Sequence, residues 1–426
     1  MVIHVVRPGD SIYSIARQYG VPWQKIVSDN ELENPNQLVV GQTIVILEGY
    51  RQHVVRPGES LYLIALQYQL PIRQVISANP QISDPARLMP GQTVNIPPRT
   101  INFGPIEVNG YAFPNINMET LRKTLPYLTY LSIFSHQVNA DGSLDEINDT
   151  PLIQAARNAG VAPLMVITNI GDNGGFDSDL ASTILNSDSL QNVLLDNVVN
   201  ILGQKNYYGL DIDFEYIYPR DREKYNNFLR KTVERLRPLG YTVTTALAPK
   251  ISATQQGRLY EGHDYPVHGE LADHVIIMTY EWGYTYSPPQ AVAPLNEVRR
   301  VLEYAVTAIP RRKIMMGIPN YGYNWTLPFV EGTAAQTISN VGAVNLAQQE
   351  GAFIQFDPVA QAPYFRYYDS SGRQHEVWFE DARSILAKLS LANEFRVGGI
   401  SYWTINQFFP QNWLVLDSVY DIVKVL

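Results

Sequence analysis

The segment His4-Val5-Val6-Arg7-Pro8-Gly9-Asp10-Ser11 returns 49 residues later as His53-Val54-Val55-Arg56-Pro57-Gly58-Glu59-Ser60. A chain that repeats itself in this way folds its first hundred residues as two copies of one small unit, because the same local signals act twice. The match continues through Tyr13 and Tyr62, Ile15 and Ile64, Ala16 and Ala65, Tyr19 and Tyr68. It resumes at an offset of 50 in Gly41-Gln42-Thr43 and Gly91-Gln92-Thr93, so one residue is inserted near Asn79-Pro80. In each copy an alternating strand meets Pro-Gly, and a Ser then stands at a helix N-cap ahead of apolar residues at helical spacing. A second short helix is predicted around Trp23 to Asp29 and Ile72 to Ala78, and each copy closes on an alternating strand, Ile44 to Ile46 or Val94 to Ile96. The reading is βααβ twice, over residues 1–48 and 51–97.

This pattern resembles the LysM module along its full length. The resemblance implies binding to N-acetylglucosamine-containing glycans such as peptidoglycan or chitin, by the loop after the first strand and the loop before the last. Those loops hold Gly9, Asp10 and Ser11 with Asn30 and Leu32, and then Gly58, Glu59 and Ser60 with Asn79, Pro80 and Ile82. A plainer reading stands beside it. Asp10, Ser11, Glu59 and Ser60 sit where caps belong, and a cap contributes about 1 kcal/mol with or without a ligand.

The other three quarters, residues 100–426, follow a Pro97-Pro98 linker and alternate β-rich runs with amphipathic helical ones. Candidate strands are Glu107 to Phe113, Tyr130 to Phe134, Leu164 to Thr168, Gly209 to Phe214, Thr242 to Ala246, His274 to Thr279, Lys313 to Ile318 and Gly399 to Trp403. Helical stretches between them include Arg222 to Arg237 and Leu295 to Ala308. Eight such units over roughly 300 residues predict an α/β fold, a (β/α)8 barrel with its site at the C-terminal ends of the strands. One connection is long. Residues 326–377 are expected to form a small β-containing insertion between strands 7 and 8 that walls one side of the cleft.

Composition narrows the function classes. The net charge of −9 is carried by the barrel segment, since residues 1–100 hold 8 basic against 7 acidic side chains. Nucleic acid is therefore not an expected partner. The absence of cysteine removes disulfides, thiol nucleophiles and thiolate metal sites. No apolar run reaches the length of a membrane span, about 18 residues, and no secretory signal peptide is legible at Met1 to Gly9. No cofactor or metal is expected, and a monomer is. The 27 tyrosines suit either stacking on sugars or a store of buried phenols.

The chemistry concentrates in Tyr207-Tyr208-Gly209-Leu210-Asp211-Ile212-Asp213-Phe214-Glu215-Tyr216. Residues two apart in a strand share a face, so Asp211, Asp213 and Glu215 point one way and Leu210, Ile212 and Phe214 the other. An unpaired polar group loses roughly 2 to 7 kcal/mol on leaving water, so a buried row of acids signals a working site. Aromatic residues gather near the strand ends: Tyr111 and Phe113, Phe134, Tyr216 and Tyr218, Tyr280 and Trp282, Tyr321, Tyr323 and Trp325, Tyr402 and Trp403. They are expected to ring the mouth of the barrel and bind substrate.

At this point the chain resembles glycoside hydrolase family 18, whose fourth strand carries Asp-Gly-x-Asp-x-Asp-x-Glu. Here the motif is Tyr208-Gly209-Leu210-Asp211-Ile212-Asp213-Phe214-Glu215, with Tyr208 in place of the first Asp. Met278-Thr279-Tyr280-Glu281 stands where the family has Met-x-Tyr-Asp, Gly317-Ile318-Pro319-Asn320-Tyr321-Gly322 fits its seventh strand, and Trp403 its eighth. The resemblance implies that Glu215 is the general acid and that the substrate's own 2-acetamido oxygen is the nucleophile, an exception to the two-carboxylate scheme. It also implies that Asp213 steadies the acetamido N–H, that Tyr280 holds the acetamido oxygen, and that Trp403 floors the reacting subsite. Asp211 would tune Asp213; it reads equally as a structural acid satisfied by barrel neighbours. Two LysM-like copies before such a barrel look like the spore cortex-fragment-lysing N-acetylglucosaminidases of Bacillus-type bacteria. The expectation is a retaining N-acetylglucosaminidase, spore- or wall-associated, tethered to peptidoglycan. The alternatives are a chitinase and a non-catalytic glycan-binding or spore-coat protein on an inactive barrel.

Overall fold

The computed structural model describes residues 1–47, 50–68, 70–97 and 101–426. The expected end of the first copy at residue 48 and the linker residues 98–100 lie outside the described residues. The first copy runs β1 (Val2–Val5), α1 (Ile12–Tyr19), α2 (Trp23–Asn30) and β2 (Thr43–Ile46), with β1 and β2 antiparallel. The second runs β3 (Arg51–Val54), α3 (Leu61–Gln67), α4 (Ile72–Ser77) and β4 (Thr93–Ile96), paired in the same way. Each first helix starts where the hydroxyl cap stood in the sequence. Ser11 Oγ accepts the Ser14 N–H at 3.2 Å while Ser14 Oγ accepts the Ser11 N–H at 2.9 Å, a reciprocal box. Ser60 Oγ accepts the Leu63 N–H at 3.3 Å.

Eight strands then form one closed parallel sheet: β5 (Pro105–Ala112), β6 (Tyr130–Gln137), β7 (Ala162–Thr168), β8 (Gly209–Asp213), β9 (Thr242–Leu247), β10 (His274–Ile277), β11 (Ile314–Pro319) and, after an insertion, β17 (Gly399–Trp403). Closure is made by β17 against β5, with Ile400 beside Val108. The outer layer holds α5 (Met118–Thr124), α6 (Thr150–Asn158), α7 (Ser178–Leu185), α8 (Asp188–Lys205), α9 (Arg222–Leu236), α10 (Tyr265–Leu271), α11 (Leu295–Ala308), α13 (Ala382–Phe395) and α14 (Pro410–Val419). A two-residue strand, β18 (Asp421–Ile422), pairs with the start of β5 and was not legible in the sequence.

The insertion is a five-stranded antiparallel sheet in the order β13-β12-β16-β15-β14, built from β12 (Gly322–Thr326), β13 (Gln336–Ile338), β14 (Gln355–Asp357), β15 (Ala362–Tyr368) and β16 (Gln374–Trp378). Helix α12 (Asn340–Gln349) packs on it through Ala343 and Ala347.

Strand alternation sorts the barrel into two layers. Leu210, Ile212 and Phe214 join the apolar layer between sheet and helices, whereas Tyr111, Leu164, Ala246, Ile276 and Met315 fill the barrel interior. The same alternation corrects two of the expected mouth aromatics. Tyr402 is one residue from Trp403 and so faces the opposite side, fully buried against Trp413. Trp325 is buried in the inserted subdomain, its indole N–H donating to Ser287 O at 2.7 Å.

The first copy is fused to the barrel. Val45 is fully buried in the main core cluster and Val39 in the cluster of the inserted sheet. None of the helices among the described residues is long and apolar enough to cross a membrane.

Candidate active site

The acid row lies where β8 opens into the mouth of the barrel. Asp211 is fully buried and Asp213 nearly so, while Glu215 is half-buried, two residues beyond the end of the strand. Tyr111 on β5 donates its hydroxyl to Asp211 Oδ2 at 2.6 Å, and Ser132 Oγ on β6 approaches the same oxygen at 3.2 Å. The other oxygen, Asp211 Oδ1, and Asp213 Oδ1 find no hydrogen-bond partner among the described residues. Ionising a carboxylate with a buried, unpaired oxygen is costly, so these groups hold their protons more tightly than in water. Burial raises the Asp211 carboxyl to about 6, against the opposing pull of its Tyr111 and Ser132 hydrogen bonds. Asp213 is pushed well above the usual carboxylate range by burial and then by the charges of Glu215 and Asp211. Glu215 is raised to about 7, by desolvation first and by Glu281 second. At neutral pH a share of Glu215 therefore keeps a proton to give, where an ordinary glutamate is fully ionised.

Beyond Asp213 the strand ladder stops, and side chains take over the backbone. Asn169, the residue after β7, accepts the Glu215 N–H on Oδ1 at 2.9 Å and donates Nδ2 to Glu215 O at 2.9 Å and to Asp177 O at 3.0 Å. On the other flank His263 Nδ1 accepts the Ala248 N–H at 2.9 Å. The ring proton is thereby placed on Nε2, which faces Phe214 O at 2.9 Å as its donor. Burial lowers His263 to about 4, so it stays neutral. Ser178 Oγ donates to Tyr216 O at 2.6 Å, and Tyr216 adopts φ 54°, a left-handed conformation that a non-glycine residue holds only under local constraint. Neither Asn169 nor His263 is legible from sequence. An Asn after a strand and a lone His carry no pattern of their own.

The cleft above the row has a volume of about 500 Å³ and is lined by Tyr111, Phe134, Asp213, Glu215, Met278, Tyr280, Glu281 and Trp403. Phe176, Tyr216, Tyr260, Trp282 and Tyr284 extend it with aromatic surface. Tyr280 fits because β11 has a glycine beside it: a Cβ on Gly317 would stand 2.8 Å from Tyr280 Cε1 and 2.7 Å from Ile277 O. Trp403 packs edge-on against Tyr111, Phe113 and Phe134. Glu281 sits at the rim with φ 68°, and the Tyr321 hydroxyl donates to it. Tyr323 Oη lies 3.1 Å from the same oxygen. Desolvation raises its carboxyl in spite of these donors. The inserted sheet thus reaches the site through Tyr323, while most of the cleft wall comes from the loops after β7, β8, β9 and β10.

The structure brings Glu215, Asp213, Tyr280, Glu281, Met278, Trp403 and Tyr111 to one cleft, with Asp211 beneath. Tyr321 meets it through Glu281. Tyr111 is only 2 % exposed and its hydroxyl is committed to Asp211, so it supports the row more than it offers surface to a substrate. Tyr208 packs beside Tyr130 in the lower barrel, at 6.2 Å between ring centroids, and makes no hydrogen bond to Asp211.

The predicted residues of the two copies lie elsewhere and are mostly bound up in the fold. Asp10 accepts the Arg7 N–H at 2.8 Å and meets His4 Nε2 at 3.0 Å; Glu59 does the same with Arg56 and His53, at 2.7 and 2.8 Å. Asn30 and Asn79 are buried and tie helix to strand, accepting the Val45 and Asn95 N–H groups at 2.7 Å each. Gly9 and Gly58 turn at positive φ, 88° and 85°, with open space around them. Leu32 and Ile82 are half-buried against their own copy, and Pro80 is exposed.

Known proteins place this geometry. The profile of glycosyl hydrolases family 18 matches residues 110–407, and the LysM domain profile matches residues 4–47 and 53–97. The chain is 47% identical over 432 residues to a cortical fragment-lytic enzyme of Bacillus subtilis (strain 168), covering 100% of this chain and 99% of the relative. It is 44% identical to a cortical fragment-lytic enzyme of Bacillus anthracis, with 99% of each chain covered. Among solved structures, the spore cortex-lytic enzyme SleL of Bacillus megaterium QM B1551 superposes with a TM-score of 0.92 at 40% identity, over 100% of this chain and 99% of that one.

Proposed function

Because this chain belongs to glycosyl hydrolase family 18 and carries two LysM domains, we propose that it hydrolyses N-acetylglucosaminyl bonds in peptidoglycan, in fragments of the spore cortex, with retention of configuration. The observation that carries the reading is the placement of Glu215 in an aromatic cleft beside a buried Asp213, where desolvation raises its carboxyl. Glu215 gives its proton to the glycosidic oxygen as the C–O bond breaks, and the carbonyl oxygen of the substrate's 2-acetamido group closes on the anomeric carbon. Asp213, once its proton has passed to Asp211 beneath it, accepts the acetamido N–H and offsets the positive charge of the ring that forms. Tyr280 Oη orients the acetamido oxygen, and the Trp403 face supports the sugar. Glu215, now a carboxylate, takes a proton from the incoming water, which reopens the ring from the first face. Asp211, held by Tyr111, keeps the proton balance beneath Asp213. Full-length likeness to cortical fragment-lytic enzymes supports cortex as the polymer and the spore as the place of action.

Mass spectrometry of the ends released from purified cortex peptidoglycan tests the bond: new reducing N-acetylglucosamine ends are expected, and new muramic acid ends would overturn the assignment. Glu215→Gln is expected to lower turnover by about 100-fold or more, the usual span for a lost general acid, with attachment to insoluble peptidoglycan retained. Near-normal turnover in that variant would remove Glu215 from its role.

A further inference from the structure

Three residues past Glu215 the loop after β8 builds a ridge that the proposed reaction does not use. Tyr218 is fixed by its hydroxyl, which donates to Asp179 Oδ1 at 2.8 Å. The loop after β9 reaches it because Gly262 has no side chain: a Cβ there would stand 2.5 Å from Ile217 Cβ and 2.7 Å from Ile217 O. That close approach brings Arg258 over the Tyr218 ring, its guanidinium carbon 4.7 Å from the ring centroid, where Arg220 lies at 4.2 Å. An aromatic face attracts both cations and orients them.

Both arginines are exposed, and neither meets a carboxylate within ion-pair distance among the described residues, whereas Arg222 is paired to Asp264 at 2.8 Å. The acids of the same loops are engaged elsewhere: Asp179 by Tyr218, Glu261 by the Gly257 N–H at 2.9 Å, and Asp221 Oδ1 by Asn186 Nδ2 at 2.9 Å. Sharing one ring keeps two positive charges within about a Debye length of each other, ~10 Å at 0.1 M salt, so they repel and leave a local field that favours an anion. In a chain whose net charge is −9, an anionic substrate is drawn in at this point and repelled by the body around it.

Placement ties the ridge to the cleft. Tyr216, Leu259 and Tyr260, which flank it in sequence, line the cleft that holds Glu215. On the other side Arg220, Asp179, Ser182, Asn186 and Asp221 line a broad open groove. Asp221 is 3 % exposed there, and its Oδ2 has no hydrogen-bond partner among the described residues. A ligand that crosses from cleft to groove meets two guanidinium groups and then hydrogen-bonding side chains. A neutral sugar strand offers the cations nothing. The short peptides that peptidoglycan carries on its glycan do, since they bring carboxylates and amide N–H groups, and a planar guanidinium takes a carboxylate through two parallel bonds.

We propose that Arg220 and Arg258, stacked on Tyr218, form a subsite for a carboxylate of the peptide stem borne by the glycan strand in the cleft, with the groove past Arg220 receiving the rest of the stem. This rests on the proposed action on peptidoglycan and adds to it a charge that chitin lacks. The test is steady-state kinetics of the full chain on soluble cortex fragments that carry stems, and on the same fragments after carbodiimide coupling to methylamine has turned the stem carboxylates into neutral amides. The parent is expected to show a KM about fivefold or more higher on the neutral fragments, the span of an exposed ion pair. Arg220→Gln combined with Arg258→Gln is expected to raise KM on the charged fragments by a similar factor, to hold kcat within about twofold, and to leave KM on the neutral fragments at the parent's value. Arg220→Lys combined with Arg258→Lys recovers part of the loss, because the charge returns without the planar fork. Equal KM of the parent on both fragments, or a loss in the glutamine variant that is the same on both, would overturn the subsite and leave the enzyme's substrate as proposed. A folded parent that cleaves neither fragment would overturn the peptidoglycan reading and the subsite with it.

Discussion

Glu215 works from a position where no strand holds it. Its peptide is fixed by the Asn169 amide on one side and that of Phe214 by the His263 ring on the other, so two side chains do what neighbouring strands do for Asp211. Asn169→Ala removes both bonds to Glu215 and is expected to lower kcat by about tenfold or more with a smaller change in KM, because a misplaced acid affects the transition state more than binding. Steady-state kinetics on soluble cortex fragments reads that split; a loss confined to stability would reduce the residue to scaffolding. Asp211 supplies a second prediction, at the level of proton linkage. Its carboxyl is raised from 3.8 to about 6, so the native state keeps a proton that the unfolded chain has lost between those values. Stability from this group is present below about pH 4 and falls as pH rises to about 6, by on the order of 3 kcal/mol. Asp211→Asn is expected to remove that part of the slope in denaturant titrations run from pH 4 to pH 7.

At the scale of elements, β8 shows what period-two patterning delivers. One face joins the helix-side core and the other presents acids to the barrel interior, as alternation demands. Alternation also decides where the aromatic reading fails: Tyr402 and Trp403 are adjacent, so one of them had to leave the mouth. The neighbouring strand β11 contributes by having nothing to contribute at Gly317, whose missing Cβ leaves room for the Tyr280 ring. Gly317→Ala puts a methyl 2.8 Å from that ring and 2.7 Å from backbone at Ile277, and neither can give way freely. Its expected signature is a destabilisation of about 1–3 kcal/mol together with a fall in kcat, measured by thermal unfolding and by turnover of the folded fraction. In the LysM copies the caps read from sequence are present, and Asp10 and Glu59 brace the turn before the helix by way of a histidine. That histidine pairing across the turn had no signal beyond the repeat itself.

For the whole molecule the decisive feature is the seam between the first LysM copy and the barrel. Val45 belongs to the same core cluster as the barrel strands, so the copy and the catalytic domain are expected to unfold together. Val45→Asp buries a charge in that core and is expected to lower the main melting transition by several degrees, whereas Asn95→Asp, its match in the second copy, leaves that transition within about 1 °C. Calorimetry on the two variants checks this; equal effects would mean that the seam contributes nothing to the fold. The arrangement also gives tethering a geometry. A copy fixed to the barrel cannot search for polymer independently of it.

The amino-acid sequence by itself determined the repeat, the eight strand-helix units, the acid row and the inserted β-rich segment, because each is written in periodicity and spacing over short stretches of chain. Resemblance carried over the candidate acid and its neighbours at Asp213, Tyr280 and Trp403, and the cleft holds them together. Tertiary structure alone decided that Asp211 is satisfied by Tyr111 and Ser132, that Asn169 and His263 hold the backbone around Glu215, and that Glu281 is bound by Tyr321 and Tyr323. It alone decided that the two copies of the repeat end in different surroundings. These facts join residues 40 to more than 300 positions apart, and local pattern carries no information about partners that only chain closure brings together.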